Sequence, residues 1–334
     1  MTTTHNPLIA SLIQSFFTQH LQLHKRVSPE TVAGYRDTFR LLLQFVKQRT
    51  GREPAALRIT DLDAPTILSF LENLEQQRHN CVGSRNVRLA AIRTFFRWVA
   101  LREPEYIDLA TRVLAIPTKR TEKRIVQAVT REEMEALLKA HDLSTWQGRR
   151  DHALLLTLYN SGARISEITG LQRNQVKFGG STFLHLHGKG RKERTVPLWP
   201  KTARTLQAWF RELEDHPQAF VFPSIRGARL SRDGANHLLQ RAVIRASVGC
   251  PSLCERRISP HTVRHATAMH LLQSGVDISV IALWLGHESI ETTHIYLEAD
   301  LKTKERALEK LAPAGLTVRR YQAEDEVLAF LAAL

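Results

Sequence analysis

Five side chains able to do chemistry, His261, Arg264, His265, His287 and Tyr296, lie on one short stretch from Ser259 to Tyr296. His261 and Arg264 are spaced to share one face of a helix. A guanidinium fixed beside imidazoles and a phenol suits attack on a phosphodiester. The planar fork of arginine donates two parallel charge-assisted hydrogen bonds to phosphate oxygens and stays charged at any working pH. Taken singly, each residue is more at home on a basic helix packed on a core, because lone histidines and tyrosines are commonly structural. Their combination is what points to chemistry.

Holding that set together takes helices with defined ends. Ser259 and Pro260 read as N-cap and first residue and Gly275 as the stop, which predicts a helix over Pro260 to Ser274 with Val263, Ala266, His270 and Leu271 turned inward. Asp277 to Leu285 has the apolar spacing of a second short helix ending at Gly286, so His287 falls on the turn after it. Ser289 caps a further segment that can bring Tyr296 back toward the first helix. Upstream, Thr130 and Glu133 form a capping box for a helix through Leu138, and Arg149 to Tyr159 is another. The run from Ser161 through Gly162 and Ala163 makes a turn that delivers Arg164 to the start of a short helix. Glu167 follows one turn later, placed either to orient Arg164 or to form an ordinary surface pair. Gln175 to Phe178, Thr182 to His187 and Arg191 to Leu198 read as a three-stranded antiparallel sheet with glycines at both turns. The second turn displays Lys189, either as a solubilising lysine or as an ammonium within reach of a phosphate or leaving oxygen. Helices over Pro200 to Leu213 and Ser231 to Ser247 complete this part.

The preceding part reads as all helical. Leu8 to Leu23 opens it, a helix from Ser28 to Gly51 follows, and Thr60 to Leu74 and Ser84 to Leu101 supply two more. Arg36, Arg40, Arg93 and Arg97 fall off the apolar stripes, where they form solvated basic flanks or meet phosphates. Pro104 to Ala128, which carries Lys119 and Arg120, shows little periodicity and reads as a linker able to lie along a duplex. The fold class is therefore mainly α with a small antiparallel β-sheet.

The chain's 334 residues, 43% of them hydrophobic, are enough for two cored domains. A formal charge of +14 points to a polyanionic partner, nucleic acid first and an anionic membrane surface second. The sequence has no apolar run long enough to span a bilayer and no signal-peptide layout at its start. Cys81, Cys250 and Cys254 are too few for a disulfide framework and suit a reducing compartment. The expectation is a soluble intracellular protein. Cys250, Cys254, His261 and His265 superficially suggest a zinc site, but the interval from Cys254 to His261 is short and Arg264 would set a cation against the ion. No metal is expected.

Arg164 in SGARISEI, Lys189 in GKGRKER, the His261-Thr-Val-Arg264-His265 box, His287 in LGHES and Tyr296 resemble, in order and spacing, the tyrosine recombinases of the phage integrase family. The resemblance runs from about Thr130 to Tyr296, and more loosely over the helical part before it. It implies an N-terminal helical core-binding (SAM-like) domain over 1–112, a linker over 113–128, an α+β catalytic domain over 129–312 and a helical tail over 313–334 that docks on a neighbouring protomer. It also implies roles. Tyr296 would be the nucleophile that forms a 3′-phosphotyrosine, and Arg164 and Arg264 would clamp the non-bridging oxygens. Lys189 would protonate the leaving oxygen, His261 would assist proton transfer from the phenol, and His287 would hydrogen-bond the phosphate. Glu167 and His265 would support them. No metal, ATP or other cofactor is required, because the covalent intermediate conserves the bond energy. The implied partner is double-stranded DNA with paired, inverted-repeat sites, bound by a tetramer in the cytoplasm, on the nucleoid, with room for accessory proteins. A non-catalytic basic DNA-binding regulator or architectural protein, and a type IB topoisomerase, are the alternatives.

Overall fold

The computed structural model describes residues 8–121, 128–188, 193–287 and Thr293. The chain divides into two compact units with the boundary after Arg124.

The first unit is helical. Helix α1 (Ile9–Ser15) runs directly into a π-helical segment, Phe16–His24. The sequence pattern predicts one regular helix over Leu8 to Leu23, and the difference has a packing reason. Phe16 and Leu21 are both fully buried five residues apart, a spacing that points to different sides of an α-helix and comes nearer to one side when the turn widens. Helix α2 (Pro29–Thr50) starts at Ser28, whose side chain accepts the Thr31 N–H, and ends at Gly51 in the left-handed conformation. Helix α3 (Ala64–Gln76) is capped by Asp63, and α4 is Val82–Arg102. The core is aromatic at its centre: Phe95 stands edge-on to Phe16 and Phe39, with ring centroids 5.3 and 5.1 Å away.

The stretch Pro104 to Ala128 does not behave as a linker throughout. Helix α5 (Ile107–Leu114) lies within it and packs on α4, with Ala110, Val113 and Ile116 buried. Residues 113–119, assigned above to the linker, are therefore tied into the first unit. Arg85 donates to the Pro117 carbonyl at 3.0 Å, and Lys119 pairs with Glu75 at 2.7 Å. Burial of two apolar side chains on a short helix, and of Ile116 just after it, outweighs the turn signal of the flanking prolines.

In the second unit, α6 (Arg131–Lys139) opens on the expected Thr130–Glu133 capping box. Helix α7 (Trp146–Ser161) is buried on nearly every side from Ala153 to Leu158, and α11 (Pro260–Gln273) and α9 (Pro200–Phe210) pack on it. Between α8 (Ile165–Thr169) and α9 come strands β1 (Val176–Lys177), β2 (Phe183–His187) and β3 (Glu193–Pro197), antiparallel in that order. Leu184, Leu186 and Val196 face the core, while His185 and His187 alternate to the outside with His187 opposite Glu193. Helices α10 (Arg232–Ala246) and α12 (Ile278–Leu285) complete the unit, α12 ending at left-handed Gly286. Among the described residues no helix is long and apolar enough to cross a membrane.

Candidate active site

The site is organised by the C-terminal end of α12. The last carbonyls of a helix lack intrahelical partners and carry partial negative charge, so they attract cations. Here three consecutive carbonyls each accept from a different arginine. Arg194 Nε donates to Trp284 O at 3.0 Å, Arg264 Nη2 to Leu285 O at 2.8 Å, and Arg164 Nη2 to Gly286 O at 3.2 Å. The arginines come from three separate elements, β3, α11 and the N-cap of α8, so local sequence alone does not reveal their meeting.

Arg264 is the most enclosed, only 5% exposed, and its second fork atom donates to Gly162 O at 2.7 Å. It therefore joins the two glycine turns that follow α7 and α12. Gly162 has φ +56°, and a Cβ there would lie 2.5 Å from Leu285 Cδ2 and 3.3 Å from Thr267 Cγ2. Only glycine lets the turn before Arg164 sit this close to α12. Gly286, at φ +66°, faces the Arg194 side chain, which would lie 3.0–3.3 Å from a Cβ there and would have to give way slightly.

One carboxylate serves this cluster. Glu167 takes two bonds from Arg194, at 2.7 and 3.1 Å, one from Arg164 Nη1 at 3.1 Å, and the Arg164 backbone N–H at 2.9 Å. Burial pushes the Glu167 carboxyl up, but the hydrogen bonds and charge of Arg194, then those of Arg164, more than offset it and hold the group below the usual range. Three guanidiniums with a single acid among them, paired to Arg164 and Arg194, leave the cluster net positive. Arg164, whose side chain is 35% exposed, is its open face.

His287 follows the same turn, with its backbone N–H on Ala282 O and Nδ1 2.7 Å from Thr293 Oγ1. Burial first, then Arg264, Arg164, Arg194 and His261, push its pKa down to about 4. It is a neutral imidazole at neutral pH, suited to hydrogen bonding rather than to charge. His261 lies exposed on the first turn of α11, one turn before Arg264, and His265 is half-buried beside it.

Of the residues the sequence singled out, Arg164, Glu167, His261, Arg264 and His287 are thus gathered at this helix end. Lys189 and Tyr296 lie outside the described residues. Arg194 was missed. Its signal was strand alternation: it shares the inward side of β3 with buried Val196, an unusual place for an arginine unless an acid waits there. The zinc alternative does not assemble among the described residues: Cys254 is exposed and Cys250 Sγ faces Ser252 Oγ at 3.4 Å. A different group, His185, His187 and Glu193, does meet at ligand distances.

The basic residues of the first unit divide. Arg40, Arg97 and Arg120 are exposed, and Arg36 is exposed beside Asp37. Lys119 is exposed but paired with Glu75, and half-buried Arg93 donates to the Ile116 carbonyl, which turns it to stitching α4 to the following segment.

A helical N-terminal unit, followed by an α+β unit in which arginines converge on a helix end ahead of a histidine, defines a class. The chain matches the phage integrase family over residues 127–302 and the N-terminal SAM-like domain of phage integrases over residues 14–103. It belongs to that family, the tyrosine recombinases. Among its relatives, a Sinorhizobium fredii chain that carries the name integrase/recombinase y4rC is 47% identical, covering 99% of this chain and 100% of that one. Tyrosine recombinase XerC of Pelotomaculum thermopropionicum is 31% identical over 84% of this chain and 91% of its own length. In fold, the chain resembles the XerH site-specific recombinase bound to palindromic difH substrate in a post-cleavage complex. That match has TM-score 0.69 and 18% identity, with 90% of this chain and 83% of that one covered.

Proposed function

We propose that the chain is a site-specific DNA recombinase or integrase that cuts and rejoins strands through a 3′-phosphotyrosine, with the catalytic set Arg164, Lys189, His261, Arg264, His287 and Tyr296. The observation that carries the reading is the triple engagement of the α12 end, which fixes Arg164 and Arg264 beside neutral His287. The Tyr296 oxygen attacks phosphorus, the new P–O bond replaces the bond to the 5′-oxygen, and Lys189 supplies that oxygen's proton while His261 receives the phenol's. Arg164 and Arg264 hold the non-bridging oxygens, where charge grows in the transition state. His287 donates from Nε2 when Nδ1 accepts from Thr293. Glu167 and His265 hold these groups in place. Rejoining reverses the step and draws on the conserved phosphotyrosine bond, so neither ATP nor a metal takes part.

The substrate is double-stranded DNA with paired inverted-repeat sites, engaged by a tetramer in the cytoplasm. Residues 1–112 form the core-binding domain, whose Arg36, Arg40 and Arg97 meet phosphates, together with Arg120. Residues 129–312 form the catalytic domain, and 313–334 dock on a neighbouring protomer. Neutralising on the order of 6–10 phosphates makes affinity fall about 10³- to 10⁵-fold between about 50 and 200 mM salt, and a flat salt response argues against a wrapped duplex.

The deciding experiment uses duplex DNA flanking the gene. Wild-type protein should leave a detergent-resistant covalent complex, whereas Tyr296→Phe should bind equally well and leave none. Wild-type protein that binds but never links to DNA favours a non-catalytic regulator. Relaxation of supercoils without pairing of sites favours a type IB topoisomerase.

A further inference from the structure

We propose that His185, His187 and Glu193 form a divalent transition-metal site on the β2–β3 hairpin, with zinc the ion the donors suit best. The strand period places His185 and His187 on the same outer face of β2, since Leu184 and Leu186 occupy the buried one. The antiparallel register sets Glu193 directly opposite His187 and diagonal to His185. His185 Nε2 lies 3.0 Å from Glu193 Oε2 and His187 Nδ1 lies 3.1 Å from Oε1. The two imidazole rings stand edge to face with centroids 5.0 Å apart. One donor atom from each residue falls within 4.8 Å of the other two.

These separations suit a small cation. Zinc bonds to imidazole nitrogen and carboxylate oxygen imply ligand-to-ligand edges of about 3.3 Å in a tetrahedron, so both N···O pairs are already near that spacing. Protons serve the cluster less well: one carboxylate must accept from two adjacent imidazoles, and charging both rings sets two cations side by side. A divalent ion satisfies all three donors at once. The side chains are 37%, 53% and 55% exposed, which gives the ion a path in and leaves the fourth position to water. Because the donors span both strands, the bound ion acts as a staple across the hairpin. His187 precedes Lys189 by two residues, so the staple lies at the strand ends next to it in sequence. The site is separate from strand transfer and stands on the hairpin geometry whether or not the recombinase reading holds.

The test uses full-length protein stripped with chelator. Titration with Co²⁺, followed by its visible absorption, and displacement by Zn²⁺ should report one site per chain. His185→Ala, His187→Ala and Glu193→Gln should each weaken binding by at least about 10-fold. His237→Ala, exposed on α10, should leave it unchanged. Glu193→Gln preserves side-chain size, so weaker binding at an unaltered metal-free melting temperature reports ligation rather than misfolding. Zinc should also slow amide exchange across residues 183–187 and 193–197. Saturable binding untouched by all three substitutions, equal loss in His237→Ala, or no saturable binding below about 1 mM metal overturns the proposal.

Discussion

Arginine is used in two ways in this molecule. In the first unit, Arg85 is 3% exposed and donates to Pro117 O at 3.0 Å, and Arg93 donates to the neighbouring Ile116 O. Each pins one strand of backbone to α4. In the second unit, Arg164, Arg194 and Arg264 take three consecutive carbonyls of one helix end, and the first two pair with Glu167. The chemistry of each bond is the same. Concentration is the difference: three guanidiniums held at one helix terminus keep more positive charge than one carboxylate can cancel, which makes that end, and not the surface of α4, a seat for an anion. The sharpest way to break this contrast is to truncate one arginine from each unit. Arg264→Ala should slow strand cleavage by about 10³-fold or more, because it removes transition-state stabilisation and leaves Gly162 O and Leu285 O without their donor. Arg264→Lys should rescue little, since an ammonium cannot reproduce the planar fork. Arg85→Ala should cost about 2 kcal/mol of stability and leave cleavage at saturating DNA within about 3-fold of wild type. Comparable cleavage losses in both variants, measured by single-turnover kinetics on nicked substrate, would dissolve the distinction.

The two units also close helices with glycines in the same left-handed conformation but different company. Gly51 ends α2 at φ +70° with nothing within 4 Å of where a Cβ would lie, whereas at Gly162, which ends α7, Leu285 Cδ2 would be 2.5 Å away. Gly51→Ala should therefore cost only the conformational penalty, about 1 kcal/mol. Gly162→Ala adds overpacking and should cost about 3 kcal/mol. It should slow cleavage as well, since the Leu285 side chain that must give way belongs to the residue whose carbonyl accepts from Arg264. Urea unfolding of the two variants measures the gap, and equal losses would mean the site's backbone yields freely.

Features that depend on a few neighbouring residues were legible before any coordinates. Ser28 with Gly51, Thr130 with Glu133, Ser259 with Pro260, and Asp277 with Gly286 all bound helices as their chemistry demands. The placing of Arg164 at a helix start with Glu167 one turn on was legible for the same reason. What escaped was decided by distant packing. Arg194 meets the α12 end 90 residues later in the chain, and only the inward phase of β3 hinted at a partner. Helix α5 is only eight residues long and sits between proline and basic residues, so its apolar face against α4 left too short a pattern to read. The widened turn at Phe16 answers to a cluster with Phe39 and Phe95 that no local propensity encodes.

The smallest predicted effect concerns His287, which the concentrated arginines make sensitive to acid. Its folded pKa is pushed down to about 4, below the ordinary value of 6.5 expected in the unfolded chain. As pH falls through 6.5 the unfolded chain takes up a proton that the folded site refuses. Stability therefore drops between pH 6.5 and about 4 and levels off below. His287 is only half-buried, so solvent screening trims its share to on the order of 1 kcal/mol. His141, also pushed down to about 4 mainly by burial, then by His152, Arg245 and Arg241, adds a parallel slope that does not depend on Arg164, Arg194 or Arg264. Full-length wild type and His287→Gln compared by urea unfolding at neutral pH and at pH near 5 isolate the site's contribution. The variant should lose less stability on acidification, and Arg164→Gln in place of His287→Gln should recover part of the same difference by removing one of the charges that depress the imidazole. If neither substitution changes the slope, the arginine field does not reach His287, and the positive charge at the α12 end is better screened than its geometry implies.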